Sequence, residues 1–128
     1  MTNKLAAQRQ QLSQAKDFLQ RMLAEPESEM QRAATIQAFE LLFELTWKYL
    51  KTLLEEDGMS IPASPKGVIR EAGKHGFIDN PEVWFDFLFS RNLTVHTYIE
   101  AVAQKVYLSA KNDFLTAVNT LLDKTADQ

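Results

Sequence analysis

The sequence predicts an all-α protein, an antiparallel up-and-down bundle of four to five helices that forms one domain over residues 1–128. Apolar residues recur three and four positions apart through most of the chain, which is the period of one face of an α-helix. No stretch alternates apolar and polar residues as a strand does. The chain has four glycines and four prolines, too few for a loop-rich β protein. A chain of 128 residues can bury a core without disulfide bonds.

A short break around Pro26 separates the first two predicted helices. Leucine and methionine side chains at helical spacing favour a helix over residues 5–24, which Pro26 prevents from continuing. Ser28 can cap the next helix, which we expect to run over residues 30–57. This helix should end at Gly58, because glycine readily adopts the left-handed conformation at which many helices stop.

Two shorter helices begin with the same signal, a capping side chain followed by proline at the first helical position. The two signals are Ser64-Pro65 and Asn80-Pro81. After a loop over residues 58–63, the first of these helices is expected to cover residues 65–72. It should end at Gly73 and Gly76, which disfavour its continuation. The second should pass through Leu93.

The last predicted helix begins at a capping box. Thr97 would cap this helix, and Glu100 would reach back to the backbone of Thr97. Tyr98 would then lie in the first turn with its side chain exposed. The helix is expected to continue to about residue 122, and residues 124–128 are expected to fray.

The apolar pattern of the second helix predicts a homodimer. At about 100° per residue, six of its large apolar residues fall in one narrow stripe. They are Ile36, Phe39, Phe43, Trp47, Leu50 and Leu54. Leu41 and Leu45 fall roughly 140–180° away, and a chain with four or five helices has few helices to cover them. A second copy of the chain can do so, and the alternative is that the fifth helix covers both leucines within one chain.

Composition and charge exclude several classes of function. The chain has no cysteine, which excludes disulfides, thiolate metal sites and cysteine nucleophiles. Its two histidines cannot form a three-histidine metal site. The net charge is −3 and the pI is about 5.4, so any contact with RNA must be local. We expect neither a metal ion nor a cofactor.

The sequence does not predict a membrane protein. The most apolar stretch, residues 38–54, carries four charged side chains, which excludes a membrane span. The N-terminus lacks the uninterrupted apolar segment of a signal peptide. We therefore expect a soluble, cytoplasmic protein.

Two carboxylates one helical turn apart, Glu40 and Glu44, have the spacing of an acid–base pair. Glu44 also precedes Lys48 by four residues, which is the favoured order for an ordinary helical ion pair. Carboxylates on a surface turn are far more often solvated than catalytic. We assign these two no catalytic role.

A basic stripe is predicted on the third helix, where Lys66, Arg70 and Lys74 recur every four residues. Like charges at this spacing repel slightly, and a phosphate-bearing partner would offset that repulsion. The three residues are therefore candidate phosphate contacts. The pattern alone favours the alternative of a solvated surface, with nearby acids such as Glu71 balancing the charge.

Residues 90–98 have the richest chemistry in the chain. Arg91 can hold a phosphate through paired hydrogen bonds and stabilise developing negative charge. His96 can act as a general acid or base. Together they can cleave RNA without a metal ion, one group activating the 2′-hydroxyl while the cation stabilises the transition state. On a straight helix the two would lie about 140° apart, so either the helix breaks near Val95 or a dimer completes the site.

This segment and its surroundings resemble HEPN-domain proteins, specifically the HepT-like family. The matching motif is Arg91-Asn92-x-x-x-His96-x-Tyr98. Further matching segments are Phe39-Glu40, Phe43-Glu44-Leu45-x-Trp47-Lys48-x-Leu50-Lys51, Ser64-Pro65-Lys66, Ile69-Arg70-Glu71-Ala72 and Trp84. The resemblance extends over about residues 5–122. Members of this family are also described as substrate-binding subunits of minimal nucleotidyltransferases.

The resemblance implies a homodimer with its Arg-His motifs near the cleft between the subunits, and a small nucleotidyltransferase as partner. In toxin–antitoxin members, the HEPN protein is a metal-independent ribonuclease that its partner silences by transferring AMP to the motif tyrosine. Carried over to this chain, Arg91 and His96 become the catalytic pair and Asn92 supports them. Tyr98 becomes the AMP acceptor.

Three functions remain open at this point. The expected one is a partner subunit of a two-component nucleotidyltransferase system, which binds a small nucleotidyltransferase and, through it, ATP or AMP. The alternative is an active endoribonuclease that cleaves RNA with Arg91 and His96 and is silenced by AMP on Tyr98. The third is a bundle whose polar residues only cap helices and solubilise the chain, with Tyr98 packed on Trp84 or on a neighbouring chain.

Overall fold

The computed structural model describes residues 1–61 and 63–128, which form helices around one apolar core. The helices are α1 (Asn3–Ala24), α2 (Glu29–Glu56), α3 (Pro65–Lys74), α4 (Pro81–Asn92), α5 (Glu100–Ser109) and α6 (Leu115–Lys124). A π-helical turn, Ala110–Phe114, joins α5 and α6 into one continuous helix. The described residues thus form five helices and no strand, which confirms the predicted all-α bundle. The expected loop over residues 58–63 includes Pro62, which lies outside the described residues.

An aromatic cluster at the π-helical turn fixes α2 and α4 against the last helix. The ring centroid of Phe114 lies 4.9 Å from that of Phe39 and 5.0 Å from that of Phe87, both edge to face. Trp84 and Phe43 lie at 6.1 and 6.4 Å. Such pairs contribute about 0.5–1.5 kcal/mol each beyond the burial of their area. The two helices that carry most of the candidate site therefore share one rigid packing centre.

The predicted start and stop signals act at four helix ends. Ser28, Ser64 and Asn80 each accept a backbone hydrogen bond inside the first turn of the helix that they precede. At the end of α2, the amide of Gly58 donates to the carbonyl of Glu55, and Gly58 has a φ of 85°. This is the left-handed ending expected there.

Gly73 does not end α3, contrary to the expectation. The helix continues to Lys74, and Gly76, with a φ of 76°, supplies the left-handed residue that follows it. Gly73 instead lies in close contact with Pro81, because a Cβ placed on Gly73 would lie 2.4 Å from Cγ of Pro81. Glycine at this position lets α3 contact the start of α4.

The predicted capping box at Thr97 is wrong. The α5 helix begins at Glu100, and its N-cap residue is Ile99, which makes no side-chain capping bond. The hydroxyl of Thr97 instead donates to the carbonyl of Thr94 at 3.1 Å. Threonine hydroxyls readily bond to a carbonyl three residues earlier, and here that local bond replaces the cap.

The end of α6 is anchored, although residues 124–128 were expected to fray. Thr125 is fully buried, and its hydroxyl lies 2.7 Å from the hydroxyl of Tyr49. Arg9 donates to both hydroxyls, at 2.7 Å for Tyr49 and 3.2 Å for Thr125. Lys124 also forms an ion pair with Asp79. Partners from distant parts of the chain therefore hold the first two residues of this segment, which local sequence could not reveal.

The two leucines on the far side of α2 have different surroundings. Leu45 is partly buried against the core, whereas Leu41 is 47% exposed. The last helix therefore does not cover both leucines within one chain, and Leu41 remains an apolar residue at the surface. No helix among the described residues is long and apolar enough to cross a membrane.

Candidate functional site

The motif segment turns tightly where α4 ends. Arg91 and Asn92 are the last residues of α4, and a 3₁₀ turn, Leu93–His96, follows directly. The hydroxyl of Thr94 donates to the carbonyl of Arg91 at 2.7 Å, which helps to close this turn. The helix thus breaks, which is one of the two alternatives left open by the sequence, but at Asn92 rather than near Val95.

The side chain of Arg91 is held by Glu44 of α2. Its Nη2 donates to Oε1 of Glu44, and its Nη1 donates to Oδ1 of Asn92 at 3.4 Å. The other oxygen of Glu44 accepts a hydrogen bond from Nε1 of Trp47 at 3.1 Å. Nζ of Lys48 lies 3.8 Å from the same oxygen of Glu44, and this is the ion pair predicted from the spacing of the two residues. Glu44 therefore orients Arg91, a structural role that the sequence did not indicate.

This ion pair leaves Arg91 able to bind a further anion. The side chains of Arg91 and Glu44 are 35% and 29% exposed, so both lie partly at the surface. A guanidinium has five N–H donors, and Glu44 and Asn92 engage two of its nitrogens. A phosphate that binds here must compete with the carboxylate of Glu44, but it meets a side chain whose direction is already set.

His96 lies at the surface beside Tyr98. The two ring centroids are 6.1 Å apart, with the rings nearly perpendicular. In the part of the chain that the structure describes, no hydrogen bond or ion pair joins His96 to Arg91. The structure thus brings Arg91 and Asn92 together, and His96 and Tyr98 together, on successive turns of one segment.

Tyr98 is 81% exposed and precedes α5 instead of occupying its first turn. Trp84 is buried against Phe87 and Phe114, so the alternative in which Tyr98 packs on Trp84 within the chain is wrong. The exposure of Tyr98, by contrast, is as predicted. The phenol of Tyr98 is available to a second molecule.

A groove of about 480 Å³ runs beside Tyr98, between the first half of α2 and the start of α5. Its charged residues are Glu29, Glu40, Glu100 and Arg32. Arg32 also pairs with Glu27 at 3.3 Å. None of the described His, Asp and Glu residues, these included, form a group of three that could hold a metal ion. This groove is acidic, so it favours the binding of a molecule that brings a cationic group close to Tyr98.

The three residues of the basic stripe have separate surroundings. Lys66, Arg70 and Lys74 are all exposed on α3. Lys74 forms an ion pair with Glu71 at 3.4 Å, as expected for a solvated surface. Lys66 lies in a shallow groove of about 420 Å³ that also contains Asn92 of the motif. Among the grooves described, this one brings a residue of the stripe next to the motif.

The chain matches known proteins over most of its length. A family model described as "Nucleotidyltransferase substrate binding protein like" matches residues 3–127. A protein of Haemophilus influenzae strain Rd, named probable ribonuclease HepT, is 33% identical over 96 residues, or 72% of this chain and 65% of that protein. The aligned part thus covers just under two thirds of this curated relative.

A crystal structure of a Thermus thermophilus protein has the same fold. It superimposes with a TM-score of 0.80 and 33% sequence identity, covering 88% of this chain and 97% of that one. The family model and the curated relative agree with the resemblance inferred from the motif around Arg91 and His96. The chain therefore belongs to the HepT-like HEPN family of nucleotidyltransferase substrate-binding proteins.

Proposed function

We propose that this protein is the partner subunit of a small nucleotidyltransferase and that it accepts AMP on Tyr98. The observation that carries this proposal is the exposure of the Tyr98 side chain, 81%, in the turn before α5. A buried phenol could not enter the active site of another protein. The family description, which refers to nucleotidyltransferase substrate binding, supports the first part of the proposal, the association with a nucleotidyltransferase.

The proposed transfer is a substitution at phosphorus. The phenol oxygen of Tyr98 attacks the α-phosphorus of ATP, a new O–P bond forms, and the bond to pyrophosphate breaks. The phenol proton passes to a base or to water, and the nucleotidyltransferase supplies the groups that bind ATP. The acidic groove beside Tyr98, with Glu29, Glu40 and Glu100, would attract a basic surface of that partner.

The test is the intact mass of the protein after incubation with its nucleotidyltransferase, ATP and magnesium. We expect one added AMP on the wild type and on Tyr107→Phe, since Tyr107 is buried. Tyr98→Phe should stay unmodified. An adduct of equal yield on Tyr98→Phe would contradict the assignment, and so would the absence of any adduct on the wild type.

We also propose that two copies form a homodimer through the surface around Leu41. Leu41 lies on α2 one turn from Glu44, the residue that orients Arg91. A subunit contact there would exclude water from a large exposed side chain and would bring two motif segments close to one interface.

A metal-independent endoribonuclease is the second candidate function, favoured by the fixed guanidinium of Arg91. His96 would take the proton of a ribose 2′-hydroxyl, whose oxygen attacks the neighbouring phosphorus. The bond to the 5′-oxygen of the next nucleotide breaks, and that oxygen takes a proton from the protonated His96 or from water, which leaves a cyclic phosphate and a free 5′-hydroxyl. Arg91 would stabilise the charge that develops on the phosphate oxygens, and Asn92 would steady Arg91.

The ribonuclease candidate is tested by cleavage of a labelled RNA in the presence of EDTA. Arg91→Ala and His96→Ala should each abolish cleavage while helicity by circular dichroism stays unchanged. His75→Ala is the matched control, because His75 is the other histidine and lies exposed at the end of α3. Cleavage that requires magnesium, or that survives in His96→Ala, would contradict this candidate.

A further inference from the structure

The groove between α3 and α4 contains an exposed aromatic residue. It measures about 420 Å³ and is lined by Lys66, Phe85, Leu88, Phe89 and Asn92. Phe89 is 56% exposed, although phenylalanine is usually buried in a protein core. An aromatic ring that faces solvent beside a motif residue is a candidate contact for a ligand.

The helical period places this aromatic face and Arg91 on different sides of α4. At about 100° per residue, Phe85, Phe89 and Asn92 fall within a stripe of roughly 60°. Arg91 lies about 100° from Asn92, and it points toward Glu44 of α2. The helix therefore presents the motif arginine on one side and the motif asparagine in the groove, so that the groove adjoins the candidate site.

The groove is positively charged in a chain whose net charge is −3. Lys66 lines it, and Nζ of Lys105 lies 5.5 Å from the centroid of the Phe89 ring. None of its five lining residues is acidic, whereas the groove beside Tyr98 has three glutamates. Two cations around an exposed aromatic ring are the combination with which proteins bind single-stranded nucleic acid, by stacking a base and contacting its phosphates.

We propose that this groove binds one nucleotide of single-stranded RNA next to the phosphate that Arg91 contacts. The base stacks on Phe89, Lys66 and Lys105 contact the neighbouring phosphates, and the amide of Asn92 bonds to the base edge. The proposal rests on the ribonuclease candidate and deepens it, since it assigns the substrate class to single-stranded rather than double-stranded RNA. A duplex would not offer the face of a base to Phe89.

The experiment measures the binding of a fluorescently labelled single-stranded RNA by anisotropy, with His96→Ala as the background so that the RNA stays intact. Phe89→Leu should weaken binding by about 5- to 100-fold, the loss of one stacked base, whereas Phe89→Trp should retain affinity. Met30→Ala is the control, because Met30 is an exposed apolar residue at the start of α2, outside this groove and away from Lys105. The same RNA annealed into a duplex should bind more weakly than the single strand.

Salt dependence separates the contributions of the ring and the charges. Phe89→Leu should leave the slope of log affinity against log salt unchanged, since it removes no ion contact. Lys66→Ala should reduce that slope by about one phosphate contact. A steric or folding defect would weaken RNA binding by either variant, but it would not reduce the salt slope of Lys66→Ala alone.

Three results would overturn the proposal, and they can be told apart. Unchanged affinity of Phe89→Leu would overturn the nucleotide subsite alone. A lower mass of Phe89→Leu in solution would show that the groove is a contact with a second copy of the chain. If no variant binds RNA at all, including the His96→Ala background, the ribonuclease candidate fails together with its subsite.

Discussion

Removal of the Glu44 carboxylate should impair the action of Arg91 with little effect on the fold. Glu44 accepts from Arg91 through one oxygen and from Trp47 through the other, so Glu44→Ala frees the guanidinium to turn. Glu44→Gln keeps an oxygen acceptor for Arg91 and removes the charge. The two variants therefore separate orientation from electrostatics.

The expected loss of stability is small because the ion pair is partly solvated. The side chains of Arg91 and Glu44 are 35% and 29% exposed, and solvent screening limits such a pair to about 0–1 kcal/mol. For a chain of this size, that loss lowers the Tm by no more than about 5 °C. The expected loss of RNA cleavage is larger, about 10- to 100-fold for Glu44→Ala, because a misplaced catalytic group loses most of its contribution.

Single-turnover cleavage and thermal denaturation test this prediction together. Glu55→Ala is the matched control, because Glu55 also forms an ion pair on α2, with Lys51 at 3.1 Å. Glu55 lies eleven residues from Glu44 along the helix. Glu44→Gln should lose less cleavage than Glu44→Ala. Wild-type cleavage by Glu44→Ala, in a preparation where Arg91→Ala is inactive, would refute the positioning role.

Three further variants test the packing and the assembly. Leu41→Glu should fold normally and halve the mass measured by light scattering, because a dimer contact would bury an unpaired carboxylate; a wild-type monomer at micromolar concentration, or an unchanged dimer, would contradict the proposed interface. Gly73→Ala should lose about 1–3 kcal/mol in urea denaturation, since its Cβ would overlap the start of α4 and outweigh the helical gain of about 1 kcal/mol. Tyr49→Phe should lose about 1–3 kcal/mol, because Thr125 and its neighbours lose a buried hydroxyl partner; wild-type stability would mean that the C-terminus frays.

Local signals explain why most helix boundaries could be predicted. A capping side chain such as Ser28 acts on amides within three residues, and Gly58 terminates α2 through its own backbone conformation. At Thr97 the prediction failed because one side chain had two possible local partners. The Thr97 hydroxyl could cap a helix or bond to the preceding turn, and the sequence does not fix that choice.

The candidate site likewise contains residues that the local sequence identifies and one residue, Glu44, that it does not. Arg91, His96 and Tyr98 lie within eight residues of sequence, so the motif identified them as a group. Glu44 is 47 residues from Arg91, and only the packing of α2 on α4 brings the two together. Because Glu44 precedes Lys48 by four residues, an ordinary helical ion pair already explained its charge. The sequence therefore offered no reason to look for Arg91 as a second partner of Glu44. A partly buried arginine in a motif needs a counterion, and that requirement is the signal that could have led to Glu44.

Peptide mapping of the modified protein tests the central claim most directly. Trypsin cleavage after Arg91 and Lys105 releases residues 92–105, which contain a single tyrosine, Tyr98. After incubation with the partner nucleotidyltransferase, ATP and magnesium, this peptide should carry AMP, and fragmentation should place the adduct on Tyr98. An adduct located on another residue, or a peptide that remains unmodified while the nucleotidyltransferase is active, would contradict the account.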